Sequence, residues 1–475
     1  MFEELANFTH SNASLPLKSF IRSYRSDALA TFQLSYPIVI GQLGVVLMGV
    51  IDNVMVGPLG AAALGATGIA NSIYFVIGII GLGTLSAVAP MIAAAKGAGD
   101  LYTCKRLLYS SLWISVGLGL LLAVVIEILV WYFDIFGQTP EITALAKEFL
   151  FIIGLSIVPM MVFMAVKQFG DGLSHTRVAM CITLAGLFLN TLFNWLLIYG
   201  HWGFPALGVR GSALSTMMAR LGMAGLILIY VFRSSLFRPY LIAVPGPAQA
   251  RHLVGKIIRL GLPSGFQYFF EVAAFSAAIV IVGWLGKYPL AAHEIAISLA
   301  SVTYMMASGI AAAGSIRVGQ AVGKGNREGV VRAGTVALVL TGLFMAGCCL
   351  IFLTLDQTLV ALYITDARVA SIATSLVIIA GFFQLSDGIQ VVGLGILRGI
   401  ADVNVPTLVT LFAYWIIGLP LGYWLAFHLG MNVQGIWIGL LMGLTTSAIL
   451  LTVRFYRLTA VVKNLFASTE KTVSR

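Results

Sequence analysis

Long apolar runs, separated by short polar segments, dominate the chain from about its thirtieth residue. Roughly 20 helical residues cross about 30 Å of hydrocarbon, and each run is long enough to do so. The pattern predicts an all-α polytopic membrane protein with twelve transmembrane helices, numbered below as spans 1 to 12. They are predicted at 33–56, 64–95, 107–131, 149–170, 179–199, 208–232, 258–284, 289–317, 333–355, 369–397, 405–428 and 433–456.

Composition excludes a soluble fold and most nucleic-acid-binding classes. The 475 residues are 59% hydrophobic and only 10% charged, with mean hydropathy +0.98. The net charge of +10 comes from basic residues that lie between the apolar runs. Anionic lipid headgroups are a sufficient partner for them, so we expect membrane lipids and no nucleic acid. Because no short apolar core with a cleavage site precedes span 1, we expect span 1 to act as the targeting signal.

The distribution of Lys and Arg predicts the orientation in the membrane. With the N-terminus in the cytoplasm, 23 of the 28 basic residues fall on the cytoplasmic side. Four fall on the outer side (Lys147, Arg210, Lys287 and Arg368), and Arg220 lies within span 6. We therefore expect a multi-pass plasma-membrane protein with both termini cytoplasmic. An odd number of spans would destroy this alternation.

The two halves of the chain repeat each other at a fixed offset of 226 residues. At this offset Pro37 aligns with Pro263 and Gly97 with Gly323, and no gap is needed over residues 37–99. Six spans per half is an even number, so both halves cross the membrane in the same direction. The repeat predicts two pseudo-symmetric six-helix lobes, related by an axis along the membrane normal, with the substrate path between them.

The predicted lobes have a natural boundary in the middle of the chain. The segment 241–250 contains two prolines and no long apolar run, which is typical of a linker. We expect an N-terminal lobe over 1–240, a cytoplasmic linker over 241–250 and a C-terminal lobe over 251–475.

Three carboxylates lie deep within predicted spans: Asp52, Glu271 and Asp387. A charge at bilayer depth costs several kcal/mol, so such residues usually face a cavity and mark an ion or substrate path. At the offset of the repeat Asp52 aligns with Ala278, and Glu271 with Val45. Each half therefore has an acidic site of its own. The alternative is that each acid ties two helices together through a structural hydrogen bond.

Polar residues at matching depths are candidate partners of these acids. Asn190 and Asn194 are four residues apart, on one face of span 5, at the depth of Asp52. Tyr304, half-way along span 8, lies at the depth of Glu271, where its ring and hydroxyl could help to coordinate a desolvated cation. Inter-helix contacts would equally explain the asparagines, and packing would explain the tyrosine.

Other candidates stay open at this stage. Glu294 lies near the outer mouth of span 8, where exposure to water is as good an explanation as substrate binding. For Arg220, a counter-ion role and a packing role are equally open. The four cysteines and six histidines show no metal-ligand spacing or nucleophile–base arrangement. We therefore expect no enzyme activity, disulfide or cofactor beyond a coupling ion.

Several segments resemble the multidrug and toxic compound extrusion (MATE) family, in its bacterial NorM branch. They extend over nearly the whole chain, except for about the first thirty and last twenty residues. They are MGVIDNVMVGPLG, LGATGIANSIY, GDGLSHTRVAMCITLAGLFLNTLFNWLLIYG, YFFEVAAFSAAIVIVGWLG, AAHEIAISLASVTYM, SIRVGQAVGKGN and QLSDGIQVVGLGILRGIADVNVPTL.

This resemblance implies export of cationic and other drugs across the bacterial inner membrane in exchange for Na⁺ or H⁺. It also implies a cation-coupling set made of Asp52, Asn190, Asn194, Glu271, Asp387 and Tyr304. Asp52, Asp387 and Glu294 are the candidate substrate-binding acids. The family tends to have Gln where this chain has Glu294, and we expect the protein to be a monomer.

The mechanism that follows is alternating access, in which drug and coupling ion compete for the same carboxylates. The pairing of Glu271 with Tyr304 favours Na⁺, and H⁺ stays the alternative. Two other classes stay open. A flippase of lipid-linked intermediates would line its cavity with Arg or Lys for phosphate, and Arg220 alone is a candidate. An integral membrane enzyme would need a catalytic cluster.

Overall fold

The computed structural model describes the backbone of residues 17–241 and 247–473, and side chains over 24–241 and 253–460. Within these ranges the regular secondary structure is entirely helical. Part of the predicted linker, residues 242–246, lies outside the described residues, as do 1–16 and 474–475. The helix of span 7 begins at Pro247, so the last residues of the predicted linker are helical.

Twelve spans are confirmed within the described residues, by helices long and apolar enough to cross a membrane. Most extend past the predicted ends, because a helix continues into the interface where hydropathy no longer marks it. Nine spans are single helices: span 1 is Leu17–Val56, span 3 Leu101–Trp131, span 5 Thr176–Tyr199, span 6 Val209–Arg233, span 7 Pro247–Gly283, span 8 Lys287–Gly323, span 9 Arg327–Thr354, span 10 Ala367–Gly399 and span 12 Asn432–Val473. The other three are interrupted: span 2 is Ala61–Ser86 with Val88–Gly97, span 4 is Pro140–Leu155 with Ile157–Gly172, and span 11 is Asn404–Leu411, Phe412–Gly418 and Leu419–Phe427.

Prolines account for the interruptions inside spans 2 and 4. Pro90 has no N–H to donate to the carbonyl four residues earlier, and span 2 is interrupted at Ala87. Pro159 has the same effect in span 4, which is interrupted at Ser156. In span 11 the wider π-helical turn over Phe412–Gly418 immediately precedes the helix that contains Pro420.

The two lobes meet through a pseudo-symmetric interface of spans 1 and 2 with spans 8 and 7. A Cβ atom on Gly97 would overlap the carbonyl oxygen of Gln320, and one on Gly323 would overlap that of Ala94. The same offset of 226 residues relates Gly97 to Gly323 and Ala94 to Gln320. Each lobe therefore places a glycine against a backbone carbonyl of the other lobe in the same way, as two subunits do at a twofold interface. The predicted pair of pseudo-symmetric lobes is confirmed.

Most polar contacts between the lobes lie towards the end of the bundle where span 1 begins, which we call the terminal face; a 2.7 Å hydrogen bond from Ser308 of span 8 to Gln42 of span 1 lies deeper. Asp27 of span 1 forms ion pairs with Arg317 of span 8 and Arg332 of span 9. The Gln320 side chain donates a 2.7 Å hydrogen bond to Ser174, which follows span 4. Together with the close glycine contacts, these interactions hold the lobes against each other at the terminal face.

Candidate functional site

The first cluster, which we call the N-lobe cluster, consists of Asp52 and three buried side chains that bond to it. Asn194 and Asn190 donate hydrogen bonds of 2.6 Å and 3.1 Å to Oδ1 of Asp52. Thr216 donates one of 2.9 Å to the other carboxylate oxygen. Asp52 is 6% exposed, and each of its partners 4% or less. Spans 1, 5 and 6 thus converge on one carboxylate whose two oxygens are both engaged.

Local helix geometry explains how span 5 supplies two of these donors. Asn190 and Asn194 are one helical turn apart and therefore point to the same side. The predicted juxtaposition with Asp52 is present. Thr216 was missed, because a threonine within a span usually satisfies its hydroxyl on its own helix, as Thr191 does on Leu187. No feature of the sequence distinguished Thr216 from such residues.

Arg220 lies one turn beyond Thr216 on span 6, behind the N-lobe cluster. Its guanidinium donates a 2.6 Å hydrogen bond to Ser156, at the interruption of span 4. It also lies over the ring of Tyr74, 4.6 Å from the centroid, and is close enough to Asp52 to act on it electrostatically. Both interpretations of Arg220 therefore have a structural basis: it packs between helices and it is a nearby positive charge.

The second cluster, the C-lobe cluster, contains the other two acids. Glu271 and Asp387 are 5% and 3% exposed, and they act on each other electrostatically. Tyr304 lies within range of both. Oε2 of Glu271 is buried without a hydrogen-bond partner. Glu271 and Tyr304, paired by depth in the sequence, thus lie within electrostatic range of each other, and Asp387 lies with them, with one acceptor atom free.

The C-lobe cluster also includes a basic side chain that the sequence analysis placed at the membrane surface. Arg398, near the end of span 10, is half-buried and donates to Gln267 and Tyr268 at 3.3 and 3.4 Å. Its charge acts on both Glu271 and Tyr304. The basic residue was counted with the loop after span 10, because hydropathy alone did not show that the helix continues through it.

Two glutamines on either side of Asp387 were also missed. Gln384 accepts a 2.7 Å hydrogen bond from Thr303, and Gln390 accepts one of 2.9 Å from Tyr414. Both glutamines are completely buried, and the amide nitrogen of each has no partner. The C-lobe cluster therefore has unused donors as well as an unused acceptor. The one feature of the sequence that could have identified these glutamines is that each lies three residues from Asp387.

Glu294 is not part of either cluster. Its side chain is exposed, whereas the adjacent His293 is completely buried and accepts a 3.0 Å hydrogen bond from the indole of Trp437. No hydrogen bond or ion pair of the described residues joins Glu294 to Asp52 or Asp387. Glu294 is thus exposed, whereas the two other acids assigned that role are buried.

The chemistry of the two clusters suits a hard cation, a proton or an organic cation. Carboxylate and amide oxygens are ligands for hard cations, and Oδ1 of Asn194 is buried and unpartnered beside Asp52. Among the described residues no three His, Cys, Asp or Glu side chains are grouped as a multidentate metal site. The partners of Asp52 all belong to the N-terminal lobe, and those of Glu271 to the C-terminal lobe.

Comparison with known proteins agrees with this architecture. The family model described as MatE matches residues 37–196 and 263–424, one segment in each lobe. The chain belongs to the MatE family. This is a family of transporters and not of enzymes. The two matched segments begin at Pro37 and Pro263, the prolines that the internal repeat aligns.

Similar MatE proteins cover nearly the whole chain. The "Probable multidrug resistance protein NorM" of Rhizobium meliloti is 36% identical over 441 residues, which is 92% of this chain and 94% of the relative. The protein of the same name from Pseudomonas putida is 34% identical over 465 residues, 94% of this chain and 98% of the relative.

Solved structures of MATE proteins share the fold. One described as the "Crystal structure of MATE in the bent conformation" has a TM-score of 0.85 at 20% identity, covering 94% of this chain and 99% of that one. Another is described as the "Outward-facing conformation of a multidrug resistance MATE family transporter of the MOP superfamily". It has a TM-score of 0.84 at 19% identity, covering 92% of this chain and 97% of that one.

Proposed function

We propose that this MatE protein is a multidrug efflux antiporter, which exports organic cations and other drugs in exchange for Na⁺ or H⁺. The N-lobe cluster carries this proposal, because a buried carboxylate held by three donors can bind one cation at a time. The names of its NorM relatives support multidrug resistance as the outcome.

Competition for Asp52 would couple the two fluxes. A drug cation gains electrostatic energy from the ionised carboxylate, and a proton or metal cation at the same oxygens removes that gain. Thermodynamic linkage then requires drug and ion to lower each other's affinity. An ion that moves down its gradient can therefore expel a drug that moves up its own.

The C-lobe cluster supports Na⁺ as the favoured coupling ion. A desolvated Na⁺ needs oxygen ligands, and Oε2 of Glu271 is free to provide one. Asp387 and Tyr304 lie within electrostatic range of Glu271. Arg398 opposes cation binding at short range, so it would have to keep to its contacts with Gln267 and Tyr268 when Na⁺ is bound. H⁺ stays the alternative.

The contacts between the lobes support alternating access. Most of the polar contacts are formed at the terminal face, and lobes held together there would open to the opposite side. We assign the terminal face to the cytoplasm of a bacterial inner membrane, because it carries most of the Lys and Arg. Opening to the cytoplasm would then require the ion pairs of Asp27 with Arg317 and Arg332 to separate.

Transport in inside-out vesicles tests the proposal. Ethidium uptake would be followed with an imposed Na⁺ gradient, with an imposed pH gradient and with neither. Wild type should respond to at least one gradient, and Asp52→Asn to none. Asp134→Asn removes the same charge from a side chain that is 72% exposed, so it is the matched control and should behave as wild type. Uptake by the wild type that ignores both gradients would refute ion-coupled antiport.

A further inference from the structure

A cavity of about 300 Å³ lies at the terminal face and is lined by no residue of either carboxylate cluster. It is formed between the beginning of span 7 and the beginning of span 11. The lining residues are Lys256, Arg259, Leu260, Ala401 and Asn404. A volume of this size accommodates a phosphate group with its substituents.

The charge of the cavity is positive and not neutralised. Lys256 and Arg259 are exposed, lie three residues apart on one side of span 7, and have no hydrogen-bond or ion-pair partner among the described residues. The neighbouring acid, Asp402, is occupied by Arg454 through two hydrogen bonds of 2.5 and 3.0 Å. The cavity therefore presents two free cations to any anion that enters it.

Exposed apolar side chains continue from the cavity towards the middle of the membrane. Leu262, three residues after Arg259, is 37% exposed, and Leu408, four residues after Asn404, is 62% exposed. Spans 7 and 11 both begin at the terminal face and run towards the middle of the membrane, so these leucines lie deeper in the membrane than the cavity. A ligand that has an anionic head and an apolar tail could contact both the basic cavity and the exposed leucines, whereas a free anion would contact the cavity alone.

We propose that this cavity is a binding site for the phosphate headgroup of an anionic phospholipid from the leaflet at the terminal face. Lys256 and Arg259 contact the phosphate, and the acyl chains lie along the exposed leucines of spans 7 and 11. The site does not depend on which drug or coupling ion is transported. A lipid bound there joins the start of span 7 to the start of span 11.

Binding of phosphatidylglycerol to the purified full-length protein tests the site, with native mass spectrometry as the readout. Phosphatidylcholine and inorganic phosphate are the comparison ligands. Each cation near a membrane surface contributes about a fivefold increase in affinity. The double variant Lys256→Gln/Arg259→Gln should therefore bind phosphatidylglycerol roughly thirtyfold more weakly.

Two variants separate this site from general surface charge. Lys324→Gln/Arg457→Gln removes the same charge from exposed residues of the terminal face outside the cavity, and should leave the affinity unchanged. Asn404→Trp fills the cavity without changing its charge, and should also weaken binding. If the double variant folds poorly, Asn404→Trp still tests whether the cavity binds the lipid.

Three results would each overturn the proposal. The first is equal binding of phosphatidylglycerol and phosphatidylcholine by the wild type. The second is an equal loss in the cavity and control double variants, which would indicate a diffuse electrostatic effect. The third is binding of inorganic phosphate that depends on Lys256 and Arg259 while phosphatidylglycerol binding does not, which would identify a site for a free anion.

Discussion

Asn194 donates a 2.6 Å hydrogen bond to Oδ1 of Asp52, a residue 142 positions away in the chain. Since Asn190 and Thr216 donate to the same carboxylate, its position is fixed from three sides. The oxygen of the Asn194 amide is buried and has no partner. One end of this amide thus orients the carboxylate while the other stays available to a cation.

Replacing Asp52 by Asn should preserve the fold and abolish efflux. Burying an amide costs less than burying a carboxylate, so expression should equal or exceed that of wild type. Cells that produce Asp52→Asn should become as sensitive to ethidium or norfloxacin as cells without the transporter. Resistance that stays at the wild-type level would contradict the role of Asp52.

Replacing Thr216 by Val should strengthen the binding of a proton or cation to Asp52 without unfolding the N-terminal lobe, because the hydroxyl stabilises the ion-free carboxylate. The change removes the donor to Oδ2 of Asp52 and keeps the shape, and a hydrogen bond to a charged group contributes about 1.5–3 kcal/mol. We expect the ion concentration for half-maximal transport to change by roughly tenfold or more. Thr191→Val is the control, because Thr191 bonds only to its own helix. Equal effects of the two changes would remove Thr216 from the site.

Na⁺ coupling should depend on the C-lobe cluster. Tyr304→Ala should weaken the Na⁺ dependence of efflux and leave drug binding in the absence of Na⁺ largely intact. Glu271→Gln should abolish the response to Na⁺, because it removes the charge whose Oε2 is unpartnered. Both are measured as ethidium efflux at varied Na⁺ and constant pH. Efflux that persists without Na⁺ and stops only when the pH gradient is dissipated would identify H⁺ as the coupling ion.

A methyl group at the pseudo-symmetric interface should open the terminal face. Gly97→Ala or Gly323→Ala places a Cβ against a backbone carbonyl of the other lobe, which cannot move aside as a side chain can. A cysteine at position 31, where Thr31 is completely buried, should then react faster with a thiol reagent in inside-out vesicles, with the four native cysteines removed. Gly117→Ala, with no neighbour in reach, is the control and should leave the rate unchanged. Unchanged labelling in the interface variants would contradict this.

Thiol labelling in intact cells tests the orientation. Ala61→Cys lies at the start of span 2 and Asn326→Cys just before span 9, and both positions are exposed. With the native cysteines removed, an impermeant reagent should label position 61 in intact cells and position 326 only after lysis. The opposite pattern would place the termini outside the cytoplasm.

The sequence by itself determined the twelve spans, the two six-helix halves and the membrane-depth acids. This was possible because a helix in lipid satisfies its own backbone hydrogen bonds, so each span is recognisable from its own residues. The repeat was readable because glycines such as Gly97 and Gly323 are required wherever the backbones of the two lobes touch. The depths of Asn190 and Asn194 followed from helical rise alone.

Only the tertiary structure decided which polar groups beyond Asn190 and Asn194 meet the acids. Thr216 reaches Asp52 across 164 residues, Arg398 lies within electrostatic range of Glu271, and Glu294 is exposed. Such partners depend on how helices rotate and cross when they pack, and hydropathy along one helix carries no information about its neighbours. A threonine or arginine within a span therefore becomes part of a site only when another helix brings a carboxylate to it.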